Sequence, residues 1–284
     1  MVGPLRRVLV CGPTTAGWAT VERAADWKGL GYAHEPDAES AVRQHESLCR
    51  ALSEAGAEVL HLGEGVGLSM DMVYVHDASL MTDRGAVLLR MGKAARQGEP
   101  CQHESFYEEL GIPILGGIVE PGTVESGDLV WLDDRTLLAG RGYRTNREGI
   151  AQLRQILRAL EVEVLEAPLP HGRGPDECLH LMSILSLVRE DWALCDLSRL
   201  AVPTVEELQR RHFRLLEIDV AERESQACNV LALGDGRLLA LEENRVTNAS
   251  LEHEGFAVLR IVGHELAQNG GGGPTCLTRP ILRA

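Results

Sequence analysis

Phenylalanine, tryptophan and tyrosine make up only 4 % of this 284-residue chain. A core drawn from the 44 % hydrophobic residues must therefore rest mainly on Leu, Val, Ile and Ala. No segment approaches the roughly 20 apolar residues of a membrane-spanning helix. The apolar stretch Val8–Val10, behind two arginines, is far too short for a signal-peptide core. The seven cysteines (11, 49, 101, 178, 195, 228 and 276) show no CxxC spacing and are odd in number. That pattern excludes a zinc ribbon, argues against a disulfide framework and points to a reducing compartment. Positive charge is short as well, with 28 Lys and Arg against 42 Asp and Glu and a net charge of -14. Nucleic acid is therefore an unexpected partner, because a phosphate backbone needs a basic footprint. A small cationic substrate suits the balance, and the expected location is cytoplasmic.

What is present is a repeat. A helix followed by a short apolar strand recurs at Glu39–Leu62, Gln102–Ile118, Asn146–Ala167, Val205–Val220 and Asn248–Val262. In the first, Val42, His45, Leu48, Leu52 and Ala55 share one helical face, and Gly56 supplies a stop. Between these pieces stand hairpin signals, apolar runs flanking turn residues. They pair Val73–Val75 with Ala86–Arg90, Leu129–Leu132 with Thr136–Ala139, Ile184–Val188 with Trp192–Cys195, and Val230–Leu233 with Leu238–Leu241. A fifth hairpin is completed only if Val8–Val10 pairs with Leu277–Leu282. The period of roughly 45 to 55 residues predicts an α/β fold, a five-bladed propeller of pseudo-fivefold ββαβ units within a single domain over residues 1–284. An α+β sandwich with coincidental spacing is the competing architecture.

A polar residue stands ahead of each hairpin: Asp71, Glu125, His180, Asn229 and Cys276. In a propeller these positions converge on one cavity. A cysteine beyond the glycine run Gly270–Gly273 is a candidate nucleophile, and a histidine can act as its base. Two carboxylates beside a nucleophile make sense if the substrate is itself a cation, and a planar guanidinium pairs best with them. Other chemistries fit poorly. The pairs His45-Glu46, His103-Glu104 and His264-Glu265 are not HExxH, and the glycine run lacks the ending of a P-loop.

Six segments resemble the guanidine-modifying superfamily of dimethylarginine dimethylaminohydrolases, arginine deiminases and amidinotransferases. The stretch from Asp71 to Asp77 (DMVYVHD) resembles DxVFVxD, and Arg96 to Glu99 resembles RRGE. Pro121 to Asp128 (PGTVESGD) resembles PGTxEGGD, and Arg144-Thr145-Asn146 matches the RTN turn. Leu179-His180-Leu181 resembles the histidine segment, and Gly270 to Arg279 (GGGGPTCLTR) resembles GGGGPHCMT.

The resemblance implies the five-bladed propeller and a hydrolase that converts arginine or an N-methylated arginine to citrulline and ammonia or a methylamine. It implies that Cys276 attacks the guanidinium carbon and that His180 protonates the departing amine and then activates water. Glu125 and Asp77 would clamp the guanidinium, Arg144 with Arg96 would bind the α-carboxylate, and Asp71 would sit near the α-amino end. No metal and no organic cofactor is expected, since the electrophile carries its own charge. A homodimer is the assembly expectation, with no membrane partner.

Two other functions remain. An amidinotransferase would pass the same intermediate to an acceptor amine, and a non-catalytic member would bind a partner. Met182 departs from the superfamily, standing where deiminases and transferases carry Asp and dimethylarginine hydrolases carry Lys. Thr275 stands in place of a common His, Ser126 breaks the EGGD run, and the loop Gly12–Trp18 matches no loop tied to one substrate.

Overall fold

The computed structural model describes residues 2–284 except 64, 66, 67, 176 and 178. Cys178 thus lies outside the described residues, and among the described residues the other six cysteines form no disulfide. Two short helices, α1 (Val21–Ala24) and α2 (Trp27–Leu30), precede five longer ones. These are α3 (Ala38–Glu54), α4 (Glu99–Glu109), α5 (Arg147–Leu157), α6 (Val202–Arg210) and α7 (Arg245–His253). No helix among the described residues is long and apolar enough to cross a membrane.

The chain forms two compact units. Asp77–Glu217 holds three sheets of three strands each. The first joins β3 (Ser79–Thr82), β4 (Gly85–Leu88) and β5 (Ile114–Gly117). The second joins β6 (Leu129–Trp131), β7 (Thr136–Arg141) and β8 (Glu163–Pro168). The third joins β9 (Leu185–Arg189), β10 (Trp192–Cys195) and β11 (Arg214–Glu217). In each sheet the first two strands are antiparallel, and the third returns parallel to the middle one after a helix.

The other unit, Val2–His76 with Ile218–Ala284, repeats the plan twice. One sheet is β12 (Leu231–Gly234), β13 (Arg237–Leu241) and β14 (Ala257–Ile261). The other takes its strands from both chain ends: β15 (Arg279–Arg283) lies antiparallel to β1 (Leu5–Val10), and β2 (Glu58–His61) lies parallel to it. The fifth hairpin expected from the sequence therefore forms between the termini.

Local chemistry explains the helices. The Asp37 carboxylate accepts the Glu39 and Ser40 N–H groups and caps α3. Its inward stripe is Ala41, Gln44, His45, Leu48 and Leu52, with Val42 only half-buried. Gly56 ends the helix with φ of +92°, a conformation open to glycine. Asn146 caps α5 through the Gly149 N–H at 2.7 Å. The helix sinks Ile150, Leu153 and Leu157 into a core with Leu80, Val87, Leu129, Leu137 and Val164.

One strand differs from expectation. Val73–Val75 is not extended pairing backbone: Met70–Val73 forms a 3-10 turn, and the Tyr74 N–H donates to the Asp71 carbonyl. The hairpin instead turns tightly from Thr82 to Gly85, which pairs Ser79–Thr82 with Gly85–Leu88. Met70 to Val75 are apolar apart from Asp71 because every one of them is buried, and that uniform burial mimics a strand in sequence.

Candidate active site

In the unit of residues 77–217, two successive repeats deliver a side chain in the same way. Glu125 is extended and leads through the 3-10 turn Ser126–Asp128 into β6. His180 is extended and leads through the 3-10 turn Leu181–Ser183 toward β9. The two side chains meet, with Nε2 of His180 2.8 Å from Oε2 of Glu125 and both residues buried. Oε1 of Glu125 accepts the Lys93 backbone N–H at 2.9 Å, and Arg144 Nη1 lies 3.6 Å from the same oxygen.

Asp77 stands two residues ahead of β3. Its Oδ1 accepts the Gly127 N–H at 2.9 Å, and its Oδ2 accepts from Arg96 Nη1 at 2.6 Å. The rest of the Arg96 fork, Nε and Nη2, is taken by Glu99 at 2.9 and 2.8 Å. Gly127 is required by this crowding, because a Cβ there would lie 2.5 Å from His180 Nδ1 and 2.9 Å from Asp77 Oδ1.

Asp77, Glu125 and His180 each offer a polar atom within 4.8 Å of the others, a spacing that suits a metal ion. Both carboxylates already have an arginine beside them, however. The arrangement is therefore one of charge-balanced acids around an imidazole. Ionised carboxylates keep further lone pairs for an incoming cation.

Burial alone would push the Glu125 carboxyl up. The hydrogen bond and charge of His180, with help from Arg144 and against Asp77, outweigh it and bring the group down to about 2. A lowered acid contributes stability that is complete above its ordinary value of 4.5 and is lost as pH falls toward about 2.

Asp128 behaves in the opposite way. Burial pushes it up to about 6, and His180, Thr145 and the Leu181 N–H offset only part of that cost. Its Oδ1 accepts the Leu181 N–H at 3.0 Å, while its buried Oδ2 has no hydrogen-bond partner. A raised acid favours the fold at low pH, and that contribution is lost as pH rises from about 4 through about 6. Asp128→Asn should therefore gain stability relative to wild type across this window. Thermal unfolding midpoints at pH 4 and pH 7 test it: the gap between the two proteins should widen at pH 7, and a gap independent of pH contradicts the assignment.

In the unit of residues 2–76 and 218–284, Cys276 sits half-buried in a tight turn just beyond the glycine run. Its sulfur accepts from Asn229 Nδ2 at 3.0 Å, and its carbonyl accepts the His76 N–H at 3.2 Å. The glycines are needed for close approach. A Cβ at Gly270 would strike the Tyr74 hydroxyl and lie 2.9 Å from its ring, one at Gly272 would lie 2.5 Å from that ring, and one at Gly273 would lie 2.7 Å from the Asn229 side chain.

The profile of the arginine deiminase family matches residues 69–198 and 201–283. The chain belongs to the arginine deiminase family. An uncharacterised protein of Aeropyrum pernix is 34 % identical over 86 % of this chain and 84 % of its own length. The N(G),N(G)-dimethylarginine dimethylaminohydrolase of Pseudomonas aeruginosa is 28 % identical, over 86 % of this chain and 91 % of its own. A structure of that hydrolase from the same organism, a Cys-to-Ser variant complexed with citrulline, matches with a TM-score of 0.79. It shares 25 % identity and covers 97 % of this chain and 99 % of that one. The fold class is accordingly the α/β propeller of five ββαβ repeats. As an arginine deiminase family member the chain is an enzyme, a hydrolase of guanidino C–N bonds.

Within this family member the residues named from sequence fall into place unevenly. Glu125, His180, Asp77 and Arg144 form one connected network, and Arg96 belongs to it. Arg96 is 4 % exposed, and all three of its nitrogens donate to carboxylates of the protein itself. Asp71 is buried in the 3-10 turn, eight residues ahead of β3, whereas Asp77 stands two residues ahead of that strand. Glu99, Asp128 and Thr145, whose hydroxyl accepts the Glu125 N–H, were not singled out by sequence. All three stand inside the quoted motif segments, which is the available signal.

Proposed function

We propose that the chain hydrolyses the guanidino group of arginine or, preferentially, of an N-methylated arginine, with Cys276 as nucleophile and His180 as acid and base. The observation that carries this reading is the His180–Glu125 pair at 2.8 Å, in a chain whose superfamily-like motifs end in the Asn229-held Cys276. The Cys276 thiolate forms an S–C bond to the guanidinium carbon, and the C=N π pair moves to nitrogen. His180, oriented by Glu125, gives its proton to the departing amine, and the C–N bond breaks to leave a thiouronium. His180 then takes one proton from water as the water attacks the same carbon; the hydroxyl's remaining proton passes to solvent as the C=O forms, and cleavage of the C–S bond restores the thiolate and releases the ureido product.

Asp77 and Glu125 accept from the guanidinium, and Arg144 takes the α-carboxylate. Arg96 is assigned a positioning role, holding Asp77 against Gly127, and Asp71 is kept at the α-amino end. The whole of residues 1–284 is read as one catalytic domain acting on a small cationic substrate in the cytoplasm, as a monomer or homodimer. Met182 supports the methylated substrate. It is 3 % exposed in the turn that follows His180, and it offers thioether and methylene surface in place of a charge.

Product analysis by mass spectrometry tests the reading with L-arginine, monomethylarginine and asymmetric dimethylarginine as substrates. Citrulline should form fastest from a methylated substrate. Citrulline from arginine alone would overturn the substrate preference. Ornithine appearing only when an acceptor amine is added would replace hydrolysis with transfer.

A further inference from the structure

Asn229 is buried, 2 % exposed, two residues ahead of β12. Its carboxamide has two ends with different partners. The oxygen accepts the Thr275 backbone N–H at 3.0 Å, and a backbone N–H can only donate. That bond fixes the amide's orientation and directs the NH2 end at the Cys276 sulfur, 3.0 Å away. The Asn229 side chain also lies against Gly273, where any Cβ would come within 2.7 Å of its Cβ, Cγ and Oδ1. The last glycine of the run is therefore the surface on which this amide packs. The turn is further held by Thr275 Oγ1 on the Val230 carbonyl and by Thr278 Oγ1 on the Pro274 carbonyl.

We propose that Asn229 is a catalytic residue which donates an N–H to the Cys276 sulfur and favours its thiolate form, an assignment that rests on Cys276 being the nucleophile. A donor that can only give a hydrogen to sulfur is stronger toward S⁻ than toward S–H. On ionisation the S–H bond breaks, the proton goes to water and the electron pair stays on sulfur. Asn229 takes up no proton and serves both the free thiolate and the thiolate expelled when the thiouronium is hydrolysed. Among the described residues, the titratable and charged groups on the segments packed against this turn include Cys228, Asp71, Tyr74 and His76, together with Arg279, whose Nη2 lies 3.1 Å from the His76 ring. Their influence is common to wild type and to variants at position 229, so a comparison at that position isolates the amide.

Asn229→Asp is the isosteric test. Its carboxylate can still accept the Thr275 N–H, so the turn keeps its anchor, while an acceptor replaces the donor at sulfur. The rate of iodoacetamide alkylation of Cys276, located by peptide mapping, is measured from pH 6 to pH 9 in wild type, Asn229→Asp and Asn229→Ala. At pH 7 both variants should alkylate at least about tenfold more slowly, as expected for loss of a hydrogen bond to a charged group. Their profiles should be displaced to higher pH, Asn229→Asp the further. Wild-type alkylation profiles in both variants, whether or not turnover falls, overturn the proposal and leave Asn229 a structural anchor. The Cys276→Ser variant keeps this outcome separate from the parent reading: turnover by that variant would remove the nucleophile whatever the alkylation shows.

Discussion

Cys276→Ser is expected to lower turnover by roughly four orders of magnitude or more, the scale seen when a covalent nucleophile is removed from a catalytic set. The exchange of sulfur for oxygen is small in volume, and Cys276 is only half-buried, so the fold should survive it. An alcohol has a far higher pKa than a thiol, and nothing in the Asn229 contact can make up that difference. Circular dichroism melts should therefore overlay while citrulline production disappears. Turnover within tenfold of wild type would mean that the guanidino carbon is attacked by something else.

Arg96→Met should cost stability rather than substrate affinity. Arg96 is buried between Asp77 and Glu99, and its three nitrogens fill the space between two carboxylates that are 2 % exposed. Removal of the cation leaves two buried carboxylates without their arginine, a change that costs about 3–5 kcal/mol. In a chain of this size that corresponds to a fall in Tm on the order of 10 °C. Asp77 would also lose the partner that holds its Oδ2, so kcat should drop. The sequence resemblance gave Arg96 a different part, the substrate's α-carboxylate. If that part is correct, Arg96→Met raises KM with little change in Tm, and differential scanning fluorimetry beside a KM determination separates the two.

The difference over Arg96 shows where the sequence is legible. Turn residues between apolar runs located three hairpins to within a residue or two and the turn of a fourth, and a terminus-to-terminus pairing completed the fifth. Those signals are local, set by which residues can turn and which can be buried. The apolar run Met72–Val75 misled because burial on all sides has no period, and only the Thr82–Gly85 turn marked the true hairpin. Helices α4 and α6 begin three residues earlier than their apolar pattern, since Pro100 and Pro203 sit in their first turns, where a missing N–H costs nothing.

The site followed the same division. Cys276, His180, Glu125, Asp77 and Arg144 are visible because their residue types carry the chemistry. The supporting contacts are not, because they depend on partners far away in sequence. Asn229 finds Cys276 across 47 positions, and Leu181 finds Asp128 across 53. The sequence places Asn229 with Cys276 among five polar residues that converge on one cavity, but its residue type does not say which of them its amide will meet. Arg96 was readable as a cation, but its two anionic partners, one 19 residues away and one a single helical turn away, decided where its charge goes.

Intact-mass analysis of wild-type enzyme, acid-quenched during turnover of asymmetric dimethylarginine, tests the covalent account most directly. The account predicts a substrate-derived thiouronium adduct that peptide mapping places on Cys276 and that is absent from Cys276→Ser. Sustained citrulline production with no adduct at any quench time, or an adduct on another cysteine, would contradict it.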